Sequence, residues 1–147
     1  MNTHILAIDI GGTNTKLALI DSDGNAGQVS SIPTSGERGL DYFLRSVTDT
    51  AHQMINQSVK SDVVGVGIGV AGFVDPAHTQ MVFNPNVTWL EGANLKDHFS
   101  SNLNLPVYLD SEVLDFVQRV AKKRKTDISS VVNNLIRNDI QMIEITK

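Results

Sequence analysis

Asp9-Ile10-Gly11-Gly12-Thr13-Asn14-Thr15-Lys16 joins two apolar runs through a pair of glycines. Upstream, His4 to Ile10 alternates and then turns apolar, the pattern of a buried strand that ends in a glycine turn. Downstream, Thr15 to Ile20 reads as a second strand. Asp21-Ser22-Asp23-Gly24-Asn25 is a strong turn signal, so a third strand near Gly27–Ile32 completes a meander. Two adjacent glycines let backbone N–H groups approach an anion with no Cβ in the way. Thr13 and Asn14 add side-chain donors, Lys16 adds charge, and Asp9 is suited to hold Mg²⁺ beside a triphosphate. The competing reading is a hairpin turn with a polar cap.

Beyond Pro33 the period changes. Leu40, Phe43, Leu44, Val47, Ala51, Met54 and Ile55 fall on one face of a helix. Val63 to Val70 is a further buried strand, followed by a turn at Ala71–Pro76. Met81–Phe83 forms a short strand before the Asn84-Pro85-Asn86 loop. A short helix follows over Asn94–Asn102, capped near Asn94, and Leu105–Leu109 is the last strand. After Asp110 the pattern is helical: Val113, Val117, Val120 and Ala121 share a face with Ser111 placed to cap. A second helix starts near Asp127 and carries Ile128, Val131, Val132, Leu135, Ile136 and Ile140.

The 147 residues suit one ordinary domain, or one domain with a small appendage, and 41% hydrophobic with 19% charged residues is ordinary for a soluble protein. No cysteine is present, which rules out disulfides and thiolate metal sites. The N-terminus lacks the features of a signal peptide, and no apolar stretch is long enough to span a bilayer, so a cytoplasmic protein without a membrane partner is expected. The net charge of −4 divides into −6 over residues 1–110 and +2 over 111–147.

The run Asp-Ile-Gly-Gly-Thr-Asn-Thr-Lys-Leu-Ala-Leu-Ile-Asp resembles the ROK family of sugar kinases and related regulators, within the actin-like ATPase superfamily. The resemblance continues through Val64-Gly65-Val66-Gly67-Ile68-Gly69-Val70-Ala71-Gly72-Phe73-Val74-Asp75, then Phe83-Asn84-Pro85-Asn86-Val87-Thr88-Trp89, and ends at Leu105-Pro106-Val107-Tyr108-Leu109. It implies an α/β fold: a ribonuclease-H-like lobe with a mixed sheet over residues 1–110, followed by a two-helix tail over 111–147. It also implies ATP and Mg²⁺ as cofactors, with Asp9, Gly11, Gly12, Thr13 and Lys16 matching the first phosphate motif and Asp9 as the metal ligand. Gly72 and Asn86 match loops that border the sugar in relatives. Trp89, the only tryptophan, is the kind of side chain that plugs a core.

The family's Glu-Asn-Asp-Ala-Asn block reads Asp110-Ser111-Glu112-Val113-Leu114 here. Glu112 falls at the general-base position, where a carboxylate one methylene longer alters the reach toward a sugar hydroxyl. The plainer reading makes Glu112 a first-turn acid favouring the helix dipole. The second phosphate loop, the adenosine pocket and the Cys/His zinc motif have no counterpart in these residues. His4, His52, His78 and His98 lack ligand spacing, so zinc is not expected. Half a cleft screens and positions a γ-phosphate poorly, so these residues alone are expected not to be a competent kinase.

From Val107 onward the tail resembles a ribbon-helix-helix DNA-binding module. That alternative makes the chain a dimeric transcriptional regulator with a kinase-like sensor lobe. By strand phase, Asn104, Pro106 and Tyr108 would face DNA. Two features oppose it: Pro106 presents no base-reading donor, and Leu105–Leu109 cannot pair in the lobe and in a partner's ribbon at once. The run Lys122-Lys123-Arg124-Lys125 suits phosphate contact or a helix C-terminus. A homodimer is expected, with a sugar or phosphate ligand, or DNA under the alternative.

Overall fold

A computed structural model describes residues 2–58, 61–70, 72–84, 86–110, 119, 122–127 and 130. The double glycine turns the chain back on itself: β1 (Asn2–Ile10) pairs antiparallel with β2 (Asn14–Asp21), which pairs antiparallel with β3 (Ala26–Pro33). Asp21 closes the second bend by accepting from the N–H groups of Asp23 and Asn25 at 3.0 and 2.8 Å. Pro33 sits at the end of the outermost strand, where its missing N–H breaks no ladder.

Helix α1 (Leu40–Gln57) crosses back so that β4 (Ser61–Val70) joins β1 in parallel. Phe43, Val47, Ala51 and Met54 recur at helical spacing and are buried. After β4 the chain forms a hairpin of β5 (Phe73–Val74) and β6 (Met81–Phe83), then α2 (Leu95–Leu103) and β7 (Val107–Asp110). β7 pairs parallel with β4, giving a five-stranded mixed sheet in the order β3-β2-β1-β4-β7. Asn94 caps α2: its Oδ1 accepts from the Asp97 N–H at 3.0 Å, and its Nδ2 donates to Asp97 Oδ2 at 2.9 Å.

One face of the sheet holds the core. Leu6, Ile8 and Ile10 of β1, Leu17 and Leu19 of β2, Val66, Ile68 and Val70 of β4, and Val107 and Leu109 of β7 are all buried. On the opposite face one register row reads Val29, Ala18, Ala7, Gly67 and Tyr108, and the next reads Ser31, Lys16, Asp9, Gly69 and Asp110. The second row places the charged groups beside the double-glycine bend.

Two local outcomes differ from the sequence expectation. The bend expected at residues 71–76 contains a two-residue strand, held because Asp75 accepts from the Thr79 N–H, the Thr79 hydroxyl and the Gln80 N–H at 2.6, 2.6 and 3.0 Å. Those bonds keep the Asp75 carboxyl below its ordinary pKa, the Thr79 hydroxyl contributing most. The last strand begins at Val107 rather than Leu105, because Asn104 takes the left-handed conformation (φ 53) that ends α2.

The chain divides into two compact units, Met1–Ser111 and Glu112–Lys147. Within the second, Lys122, Lys123 and Arg124 are helical and Lys125 turns left-handed (φ 53). Asp127 then accepts from the Ser130 N–H at 2.8 Å and the Ser130 hydroxyl at 2.9 Å. The apolar stripes expected for the two tail helices lie outside the described residues. No helix among the described residues is long and apolar enough to cross a membrane.

Candidate phosphate-binding site

The bend between β1 and β2 is closed by Gly11 N–H, which donates to the Asn14 carbonyl at 3.0 Å. A Cβ on Gly11 would stand 2.7 Å from that same carbonyl oxygen, so the turn tolerates only glycine there. The Gly11 carbonyl accepts from the Thr34 hydroxyl at 2.7 Å, and the Thr13 carbonyl accepts from the Thr34 N–H at 2.9 Å. Among the described residues, the N–H groups of Gly12 and Thr13 have no partner within the protein. The bend therefore turns its carbonyls inward and leaves two adjacent donors for an outside acceptor.

Asp9 and Lys16 face each other across the β1–β2 pair, both exposed, and Asp9 has Gly69 as its other register neighbour. Gly69 has no side chain, so the surface dips between Asp9 and Asp110, the next residue of that row. Among the described residues no group of three or more acids and histidines gathers as a metal cage. Asp9 is the carboxylate in register with Lys16 at the end of β1, beside the two free amides. That suits an ion such as Mg²⁺, which binds through one or two carboxylates, substrate phosphate and water.

Asn86 lies against the bend: a Cβ on Gly12 would be 3.2 Å from the Asn86 Cβ. Its loop is fixed by buried Asn84, whose Oδ1 accepts from the Asn86 N–H at 2.8 Å and whose own N–H donates to Glu91 Oε1 at 3.2 Å. Gly72 (φ 101) backs onto the same loop, where a Cβ would overlap the Phe83 carbonyl oxygen and lie 2.9 Å from the Asn84 Cβ. Gly12, Asn86, Asn84 and Gly72 thus form one continuous seam. Behind it Trp89 packs over Gly36 and edge-on to Phe43, ring centroids 5.1 Å apart.

The structure therefore brings Asp9, Gly11, Gly12, Thr13, Lys16, Gly72 and Asn86 into one region. Glu112 lies outside the described residues. Asn104 and Tyr108 are both exposed: Asn104 is the left-handed C-cap of α2 and Tyr108 lies on β7. Thr34 lies outside every motif of the sequence and emerges only from the fold, as do the buried contacts of Thr15 and Asn84, which lie within motifs but carry no role there. So does His78, whose Nδ1 lies 2.9 Å from the Leu109 carbonyl, which can only accept, and 3.8 Å from Asp110 Oδ1. His78, Lys96, Tyr108 and Asp110 edge a shallow pocket of about 190 Å³ at that strand end.

A mixed sheet of this order with a glycine bend between its first two strands is a ribonuclease-H-like lobe of the actin-like ATPase type. The chain belongs to the ROK family, which it matches over residues 5–135. A glucokinase of Streptomyces coelicolor is 28% identical over 109 residues, covering 73% of this chain and 32% of the glucokinase. An uncharacterized protein of Clostridium perfringens is 27% identical over 107 residues, covering 72% of this chain and 35% of that protein. Among solved structures, a ROK glucokinase of Streptomyces griseus, in complex with glucose and AMPPNP, is 27% identical with a TM-score of 0.63. That likeness covers 74% of this chain and 33% of the glucokinase. A ROK transcriptional regulator homologous to the MLC protein of E. coli shares the fold at 15% identity and a TM-score of 0.65, over 75% of this chain and 28% of the regulator. The chain spans about a third of the length of these relatives.

Proposed function

We propose that these residues form one side of a ROK-type sugar phosphotransfer site, binding the phosphates of ATP weakly and turning over no sugar by themselves. The observation that carries this reading is the pair of unpartnered amides at Gly12 and Thr13. The glucokinase activity of the relatives supplies the reaction class. Gly12 and Thr13 N–H donate to phosphate oxygens, Gly11 permits the bend, and Lys16 offsets phosphate charge. Asp9 flanks the bend and would hold Mg²⁺. Bound MgATP supplies the transferable phosphoryl group. Gly72 and Asn86 border the sugar from the seam that meets Gly12, and in sequence Glu112 falls at the family's general-base position, one methylene longer than the family's Asp.

Phosphoryl transfer depends on positioning and charge stabilisation from both sides of the γ-phosphate. These residues supply one side. A coupled phosphotransfer assay over a panel of hexoses and amino sugars is expected to give no turnover above background. Robust turnover would contradict the reading.

The rival reading, a ribbon-helix-helix regulator, draws on Lys122, Lys123, Arg124 and Lys125, all exposed, and on the Asp127 cap that follows them. Its strand, however, is engaged with β4: Val66, Gly67, Ile68 and Gly69 pair with Val107, Tyr108, Leu109 and Asp110. Gel shifts at low and physiological salt are expected to show no sequence-discriminating complex.

A further inference from the structure

Thr34 and Thr15 are buried hydroxyls, 1% and 0% exposed, that lie directly beneath the phosphate bend. Their oxygens are 3.0 Å apart, and Thr34 Oγ1 is 2.7 Å from the Gly11 carbonyl. A hydroxyl has one proton. The Gly11 carbonyl can only accept, so the Thr34 proton goes there, and Thr15 must then donate to Thr34. The result is a directed chain from Thr15 through Thr34 to Gly11.

The geometry of the peptide unit gives this chain a consequence. In a trans peptide the C=O and the following N–H point in opposite directions within one plane. Holding the Gly11 carbonyl inward on Thr34 therefore holds the Gly12 N–H outward. Thr34 acts a second time through its own N–H on the Thr13 carbonyl at 2.9 Å, fixing the far side of the bend. Glycines at 11 and 12 leave this peptide otherwise free to flip, since neither has a Cβ to resist rotation.

We infer that Thr34 is the positioning residue of the bend: its hydroxyl sets the Gly11–Gly12 peptide so that the Gly12 amide is presented to a phosphate oxygen. This rests on the phosphate reading of the bend. Thr34 touches no ligand itself. Its effect passes through one peptide plane, so a hydroxyl at position 34 is required and its methyl is not.

The test is a titration of the ¹⁵N-labelled 147-residue chain with inorganic pyrophosphate, following the amide signals of Gly12 and Thr13. In the wild type both signals are expected to move saturably. Thr34→Val keeps the shape and removes the bond, and should weaken pyrophosphate about tenfold while the Gly12 amide loses its response. Thr34→Ser restores the hydroxyl and should return both readouts to within about twofold of wild type, which a purely space-filling role would not do. If Thr34→Val does not fold, Thr15→Val substitutes for it, with an expected loss of about two- to threefold. A wild type whose Gly12 and Thr13 amides ignore pyrophosphate would overturn the phosphate reading itself. A wild type that responds, beside a folded Thr34→Val (or its Thr15→Val substitute) with unchanged affinity, would overturn the role of Thr34 alone.

Discussion

Gly12 and Asn86 touch: a Cβ built on Gly12 would lie 3.2 Å from the Asn86 Cβ. Residues 74 positions apart in sequence thereby place the bend that offers free amides against the loop expected to border a sugar. A phosphate donor and a hydroxyl acceptor must meet within bonding distance for transfer, and under the proposed function this contact is where the two would converge.

Gly12→Ala is expected to separate binding from stability. The contact is the Asn86 Cβ, which moves only with its backbone, so the loop must shift by a few tenths of an ångström at a cost to folding of about 1 kcal/mol. The new methyl stands in the approach to the Gly12 amide, so pyrophosphate affinity should fall at least about tenfold. Urea denaturation and calorimetric titration of the same sample check both values.

Gly72→Ala is expected to do the reverse. Its φ of 101 is a conformation L-residues rarely adopt, and the added methyl would overlap the Phe83 carbonyl oxygen, a backbone atom that cannot swing aside. The expected destabilisation is at least about 2 kcal/mol, from backbone strain and clash together. Fluorescence of Trp89 gives a direct reading of unfolding, because it is the only tryptophan and packs edge-on to Phe43.

Much of this arrangement is legible in the sequence because it is local. The Asp9–Lys16 hairpin, the α1 stripe of Phe43, Val47, Ala51 and Met54, and the Asn94 cap each depend on residues within a few positions of one another. The supports of the site are not local. Thr34 reaches Gly11 across 23 residues, and His78 reaches Leu109 across 31. A threonine after Pro33 has no periodicity to mark it, and only the folded meander brings it under the bend. The β5 strand was hidden for a different reason: two residues between a glycine and an Asx-type turn are too few to show alternation. The strand reading from Leu105 likewise starts two residues early, because the sequence does not reveal that α2 ends on Asn104 in a left-handed cap.

His98 should make stability depend on pH. Its Nε2 lies 3.1 Å from the Thr48 hydroxyl, whose proton goes to the Leu44 carbonyl at 2.7 Å, so the ring donates through Nε2. Partial burial holds its pKa below the ordinary 6.5, partly opposed by the Leu44 backbone. The folded state therefore binds this proton less readily than the unfolded chain. The contribution is fully present above pH 6.5 and is lost as pH falls from there toward the folded-state pKa. Urea midpoints of wild type and His98→Gln, compared between about pH 5 and pH 7.5, should show the steeper loss on acidification in the wild type. Parallel profiles would contradict it.

The Gly12 and Thr13 amides are the proposed phosphate site. Its most direct measurement is the pair of ¹⁵N–¹H signals from these two residues during titration with MgATP, read beside a phosphotransfer assay on the same preparation. Both signals are expected to move saturably, less so in Gly12→Ala, with no sugar phosphate formed. Signals that stay fixed to saturating nucleotide, or sugar phosphate accumulating from these residues alone, would contradict the proposal.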